Sequence, residues 1–155
     1  MFVVTLASVL LIVITTLIHY EVLGTLSTRL PRLAISGRIK LVLVVFAALA
    51  AHAVEMAVYG GVLFLGIRNL DVGTLNGLSG SSLLENTLYF SAETYTSLGF
   101  GDIAPLGPVR LLAGVEALNG LLLIGWSASF LYLAMERYWD APGHSADREP
   151  PSREG

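Results

Sequence analysis

The stretch TSLGFGDIAP, residues 96 to 105, places two glycines, hydroxyl side chains and an acid beside an apolar segment. Glycine adopts left-handed backbone conformations without side-chain clash, so Gly99 and Gly101, alternating with larger residues, can turn successive carbonyl oxygens to one side. Such oxygens are hard ligands that replace the water around a cation. The residues expected to present oxygen are Ser97, Leu98, Gly99, Phe100 and Gly101. No nucleophile and base that would indicate an enzyme accompany them.

The elements that hold this loop must lie in a membrane. The 155 residues are 54% hydrophobic and 14% charged, against about 25% charged in soluble domains. We expect an all-α membrane protein with transmembrane helices at 1–20, 41–66 and 109–135, since each segment is long and apolar enough to span a bilayer. Cysteine is absent, which excludes disulfides and thiolate metal sites. Nothing in the composition indicates a nucleic-acid partner.

A fourth segment, residues 82–96, is too short and too polar to cross a bilayer and predicts a re-entrant helix buried inside protein. Ser82 and Glu85 form a capping-box pattern that marks its start. Because the negative end of a helix dipole favours positive charge, the inner end of this helix would attract a cation.

The basic residues predict an orientation. Cations are concentrated in residues 21–40, which we interpret as a basic cytoplasmic loop, whereas residues 67–108 contain Arg68 as their single cation. The amino terminus then lies outside the cell, the re-entrant segment enters from outside, and the carboxy terminus is cytoplasmic. The polar tail 140–155 is predicted to be disordered.

The sequence YFSAETYTSLGFGDIAP resembles the pore helix and selectivity filter of the tetrameric potassium channels, whose usual filter reads T-V-G-Y-G-D. The likeness includes Ser91–Thr94 before the filter and Pro105 after it, and Gly120 stands where the family often has a hinge. Over residues 41–139 the chain is similar to the small prokaryotic two-helix pore channels. The resemblance implies a homotetramer in the plasma (inner) membrane that passes K⁺ through filter residues 97–102, with no cofactor.

The filter departs from the family's pattern at Ser97, Leu98 and Phe100. Phe100 cannot donate a hydrogen bond, and the resemblance implies that aromatic packing replaces it. The residues expected to support the filter are Tyr89, Phe90, Glu93, Thr96 and Asp102. Because selectivity depends on how firmly the oxygen cage is held, a weakly selective monovalent cation channel is the alternative.

In some members of the family the acids matched by Glu93 and Asp102 share a proton behind the filter. Two close buried carboxylates titrate as a unit, which predicts pH-sensitive inactivation of the filter. The alternative is that Glu93 only accepts hydrogen bonds from backbone amides.

Polar residues within the spans predict contacts between helices. His52 and Glu55 are three residues apart on one helical face, with Tyr59 a turn further along. Glu116 and Asn119 have the same spacing in the last span. We expect His52 or Glu55 to pair with Glu116 or Asn119 and so to tie the outer helix to the inner helix, and the alternative is a proton-sensing gate at His52.

The remaining features are less specific. We expect His19 at the inner end of the first helix, in the interfacial region, and no metal site built from histidines. Gly120 and Gly125 are candidate gating hinges or points of close helix packing. No span carries an arginine ladder for voltage sensing.

Membrane lipid is an expected contact, and no other protein partner is identified. A non-conducting membrane interaction subunit, which would use the extra first helix to bind a partner, is a second alternative. A proton-coupled transporter is weaker still, because no inverted repeat is visible.

Overall fold

The computed structural model describes residues 1–77 and 82–139. Its elements are α1 (Phe2–Arg29), α2 (Gly37–Leu70), β1 (Thr74–Asn76), α3 (Leu83–Tyr95), β2 (Ala104–Leu106) and α4 (Val109–Tyr138). The helices α1, α2 and α4 are long and apolar enough to cross a membrane. The predicted class, a helical membrane protein with three spans, is therefore confirmed. The predicted disorder of residues 140–155 lies outside the described residues.

The first helix is longer than the predicted span 1–20. It continues to Arg29 because residues 21–29 contain no proline, and one interior glycine costs only about 1 kcal/mol. The helix ends where Pro31, which has no amide hydrogen, interrupts the hydrogen-bond ladder. One 3-10 turn, Leu30–Arg32, follows. The predicted loop 21–40 is thus mostly helical, and only residues 33–36 connect the two helices.

The helix α1 packs on α2 and α4 through one narrow stripe. Its buried residues recur every three or four positions, as one helical face requires; they are Val4, Ser8, Leu11, Thr15, His19 and Leu23. Large apolar side chains on its other faces are exposed, which suits contact with lipid tails. The stripe combines apolar packing with polar side chains that can bond to the neighbouring helices.

The helix α3 begins with the predicted capping box. Ser82 Oγ accepts a hydrogen bond from the Glu85 amide at 3.3 Å, and the Glu85 carboxylate accepts one from the Ser82 amide at 2.9 Å. Its 13 residues extend about 20 Å, less than the hydrocarbon core of about 30 Å. A helix of this length is too short to cross a membrane.

The two strands bring the segment before α3 beside the segment after the glycine loop. The strand β1 precedes α3, β2 follows the glycine loop, and they pair antiparallel with Leu75 opposite Pro105. Gly77 lies so close to the Asp102 carbonyl that a Cβ would overlap the oxygen. Entry and exit are thus side by side, as in a re-entrant loop.

The helix α3 is wedged between α2 and α4 and is held by the main hydrophobic core. Core residues from all three helices include Tyr59, Leu63, Phe90, Tyr95, Val109 and Leu112. Two glycines permit this close approach: a Cβ on Gly60 would lie 3.0 Å from Leu88, and one on Gly120 would overlap the Tyr95 carbonyl oxygen. These contacts fix the end of α3 and hence the start of the glycine loop.

Candidate functional site

The loop that follows α3 has a backbone in which alternate residues adopt positive φ angles. These angles are +56° at Ser97, +54° at Gly99 and +81° at Gly101. Glycine takes this conformation freely, whereas other L-residues are strained by about 1–2 kcal/mol. The left-handed conformation predicted for the two glycines is confirmed. Ser97 also has a positive φ angle, which its residue type did not predict.

Glu93 holds the inner side of the loop through three successive amides. Its backbone carbonyl accepts hydrogen bonds from the amides of Leu98 at 2.9 Å and Gly99 at 3.4 Å. Its carboxylate Oε1 accepts one from the Phe100 amide at 3.1 Å. One residue of α3 therefore sets the direction of three consecutive peptide units.

The opposite side of the loop presents unpaired oxygen atoms. In a planar trans peptide the C=O points away from the N–H, so the carbonyls of residues 97, 98 and 99 face away from Glu93. Within residues 1–77 and 82–139, no hydrogen bond reaches the carbonyl oxygens of residues 97 to 101. The whole loop is exposed on the surface of the single chain. Carbonyl oxygens exposed in this way are available as ligands for a cation.

The predicted supporting residues act in different ways. Tyr89 donates its hydroxyl to Asp102 Oδ2 at 3.1 Å, which ties α3 to the far end of the loop. Phe90 is buried in the core, and Thr96 bonds back to the Ala92 carbonyl at 2.7 Å. The predicted packing of Phe100 on Tyr89 and Phe90 is not formed within one chain, since the Phe100 side chain remains 67% exposed.

The pKa of Glu93 depends on burial and on the neighbouring acid Asp102. Desolvation raises the pKa of the Glu93 carboxyl above its ordinary value, and the nearby Asp102 carboxyl raises it further, whereas the bond from the Phe100 amide acts in the opposite direction. Glu93 is thus both an acceptor of backbone amides and an electrostatic neighbour of Asp102.

Replacing Glu93 by glutamine should flatten the pH dependence of unfolding just above pH 4.5. Because the pKa of folded Glu93 is raised, the folded state binds the proton more tightly than the unfolded chain. The wild-type free energy of unfolding therefore falls as pH rises from about 4.5 through the folded-state value. Thermal unfolding of purified protein across this range measures the slope, with Glu136→Gln on the exposed part of α4 as the control. An unchanged slope in Glu93→Gln would contradict the assignment.

The polar residues of the spans are paired differently from the prediction. His52 and Glu55 do share a face, with Nδ1 and Oε2 3.1 Å apart. Neither bonds to the last helix through Glu116 or Asn119, so that predicted pair is wrong. Glu116 bonds Ser91 of α3 instead. His52 contacts the last helix at Ser127, with Nε2 and Oγ 3.1 Å apart.

Asn119 bonds residues that the sequence analysis did not assign to it. Its Nδ2 donates to Thr15 Oγ1 of α1 at 2.8 Å and to the Tyr59 hydroxyl at 3.2 Å. This layer joins α1, α2 and α4.

His19 is a member of the buried polar network and not an interfacial residue. It is fully buried, and its Nδ1 lies 3.0 Å from Glu55 Oε1. The sequence carried a signal for this position: Ser8, Thr15 and His19 fall on the same face of an otherwise apolar helix. Polar residues aligned in this way indicate a face turned toward protein.

The two candidate hinge glycines differ in their surroundings. Gly120 meets the end of α3 at Tyr95, so close packing explains this residue, whereas a Cβ on Gly125 would have nothing within 4 Å. Both lie in the unbroken helix α4.

Known proteins resemble the part of this chain that contains the loop and the helices on either side of it. Residues 39–137, more than half of the chain, match the family model described as "Ion channel". Protein LctB of Bacillus caldotenax is 48% identical over 42 residues, which cover 27% of this chain and 31% of that protein. Protein LctB of Geobacillus stearothermophilus is 45% identical over 42 residues with the same coverage, so the chain spans about a third of these relatives. No solved structure matches it significantly. With its re-entrant helix and oxygen-lined loop held between two spanning helices, the chain belongs to the ion channel family.

Proposed function

We propose that four copies of this chain form a channel that conducts K⁺ passively and selectively. The observation that carries the proposal is the row of carbonyl oxygens at residues 97 to 101, which have no hydrogen-bond donor among the described residues, while Glu93 accepts from the amides of residues 98 to 100. One chain supplies one oxygen at each level, whereas a dehydrated ion needs a ring of them. Closed rotational symmetry provides that ring, and the resemblance to tetrameric potassium channels supports four subunits.

The exposed side chains of the loop also favour assembly. In the single chain Leu98 is 61% exposed and Phe100 is 67% exposed. Large apolar side chains beside a functional loop are normally covered by a partner surface. In a tetramer the neighbouring subunit would cover them and hold the loop from behind.

Within this pore we assign distinct roles to three residues. Ser97 adds a hydroxyl oxygen to the innermost site, and Glu93 and Asp102 brace the two ends of the loop. The negative end of the α3 dipole faces the inner side of the loop and stabilises an ion there. Ion passage requires no covalent step, so we assign no enzymatic activity.

We further propose an orientation in the plasma membrane. The cations Arg29, Arg32, Arg38 and Lys40 surround the short connection between α1 and α2. The positive-inside bias places this connection in the cytoplasm. The amino terminus and the open side of the loop then face outward, and the end of α4 faces inward.

Flux measurements on the purified chain test conduction. Protein reconstituted in liposomes should release K⁺ down its gradient, and light scattering of the detergent-solubilised protein should give the mass of four chains. A tetramer without flux at any pH would overturn the channel proposal and favour the non-conducting interaction subunit. Flux from a dimer or monomer would overturn the fourfold ring.

A weakly selective cation channel is the second candidate. It is favoured by the ring of Phe100, which cannot donate a hydrogen bond, and by the Tyr89 hydroxyl, which is already donated to Asp102. With fewer hydrogen bonds behind the carbonyls, the ring of oxygens is held less rigidly and discriminates less between ions. Equal Na⁺ and K⁺ flux would establish this candidate.

A further inference from the structure

A second cluster of cation-binding atoms lies within the helices, away from the loop. One ligand atom from each of His19, His52 and Glu55 lies within 4.8 Å of the other two. His19 and Glu55 are fully buried, and the side chain of His52 is 13% exposed. We infer that these three residues bind one divalent transition-metal ion of the zinc class.

The ligand atoms already converge. The Nδ1 atoms of His19 and His52 face the two carboxylate oxygens of Glu55, at 3.0 and 3.1 Å respectively. Zinc bonds to nitrogen and oxygen at about 2.0–2.1 Å in tetrahedral geometry, which places neighbouring ligand atoms about 3.4 Å apart. Binding an ion therefore requires each Nδ1 atom to move about 0.3–0.4 Å away from the Glu55 carboxylate.

The opposite edges of both rings meet a shared hydroxyl. The Nε2 atoms of His19 and His52 each lie 3.1 Å from Ser127 Oγ. When Nδ1 binds a metal, each ring carries its hydrogen on Nε2 and both can donate to the two lone pairs of Ser127. Metal-bound histidines commonly donate a hydrogen bond from the N–H of their second ring nitrogen in this way.

Hydrogen counting favours a cation at the centre. Without one, if both Nδ1 atoms donate to Glu55, two Nε2 lone pairs face Ser127, whose single hydroxyl hydrogen satisfies only one of them. If instead His52 Nδ1 accepts from the Tyr95 hydroxyl, 2.9 Å away, both rings are satisfied, but Glu55 Oε2 loses its donors. In each arrangement one buried acceptor is left without a hydrogen unless the cluster holds an extra proton. A metal ion or that proton completes the network, and the two cations compete. The Tyr95 hydroxyl also borders the cluster: it donates to Glu55 and lies 2.9 Å from His52 Nδ1.

The donor set selects the class of metal. Imidazole nitrogen suits zinc and similar transition metals, whereas Ca²⁺ and Mg²⁺ prefer six or more oxygen ligands. Glu55 supplies one negative charge, which would be costly in a membrane interior without a cation. His52 borders a cavity of about 340 Å³ that is also lined by Thr96 at the start of the loop. The cluster is therefore not enclosed on the His52 side.

Zinc binding to the tag-free, full-length chain in detergent tests this inference. After treatment with a chelator, we expect calorimetry at pH 7 to show one Zn²⁺ per chain, and Ca²⁺ and Mg²⁺ not to bind at this site. His19→Gln and His52→Gln should each weaken Zn²⁺ binding by at least about tenfold. His144→Gln changes the third histidine of the sequence, outside the described residues, and is the matched control.

Two further measurements keep the test decisive if a ligand variant fails to fold. Ser127→Ala leaves the three ligands in place and should weaken Zn²⁺ binding by about 10–100-fold, as loss of outer hydrogen bonds does. X-ray absorption of the zinc-loaded wild type should show two nitrogen ligands and oxygen at about 2.0–2.1 Å. Absence of Zn²⁺ binding to folded wild type would mean that the cluster holds protons only and would overturn the inference. Equal affinity in the His19→Gln/His52→Gln double variant would overturn it as well.

Discussion

Replacing Gly99 by alanine should abolish K⁺ flux while leaving the helices folded. Gly99 has a φ of +54°, where alanine is strained by about 1–2 kcal/mol. The strain would recur in every subunit of the proposed ring. Relief of this strain turns the peptide and removes the carbonyl of residue 98 or 99 from the ion path. Liposome flux measures the loss, and circular dichroism measures helix content.

Gly114→Ala is the matched control for this substitution. Gly114 lies within α4, and a Cβ there would have nothing within 4 Å. Alanine in a helix interior is favoured over glycine by about 1 kcal/mol, so the control should retain flux. Gly99→Ala protein that conducts as well as Gly114→Ala would show that ions do not pass along this backbone.

Replacing Gly120 by alanine should lower the free energy of unfolding and also suppress flux. The new Cβ would overlap the Tyr95 carbonyl oxygen and lie 2.9 Å from its carbonyl carbon. Backbone cannot rotate away as a side chain can, so α3 must separate from α4. Overpacking of this kind costs about 1–3 kcal/mol. Because Tyr95 is the last residue of α3, the displacement reaches the start of the glycine loop. Thermal unfolding and flux give the two readouts.

Gly125→Ala separates packing from hinge motion. It makes the same change five residues further along α4, where a Cβ has nothing within 4 Å. We expect Gly125→Ala to be as stable as wild type or slightly more stable. Equal stability of Gly120→Ala and Gly125→Ala would refute the packing role of Gly120. Loss of flux in Gly125→Ala alone would identify Gly125 as the hinge.

The parts of the fold that local sequence determines were predicted well. The three spans follow from their apolar length, and the capping box of Ser82 and Glu85 follows from a four-residue pattern. The positive φ angles at Gly99 and Gly101 follow from the residue type. Each of these features depends on residues a few positions apart, so a linear reading contains the necessary information.

Contacts between distant segments were predicted poorly. His19 and Glu55 are 36 residues apart, and Asn119 and Thr15 are 104 apart. Their pairing depends on the rotation of each helix about its axis and on the insertion of α3 between α2 and α4. Spacing along one helix identified the polar faces of His52 and Glu55 but not their partners. The length of α1 was missed because a polar residue such as Glu21 ends an apolar run without ending a helix.

The reversal potential of the reconstituted protein, with K⁺ on one side and Na⁺ on the other, tests the central claim most directly. The claim is that carbonyl oxygens of residues 97 to 101 select K⁺ by replacing its water. We predict a reversal potential that corresponds to a K⁺ preference of at least about tenfold, equivalent to about 1.4 kcal/mol. A reversal potential near zero from a conducting tetramer would contradict K⁺ selectivity and leave a nonselective cation pore.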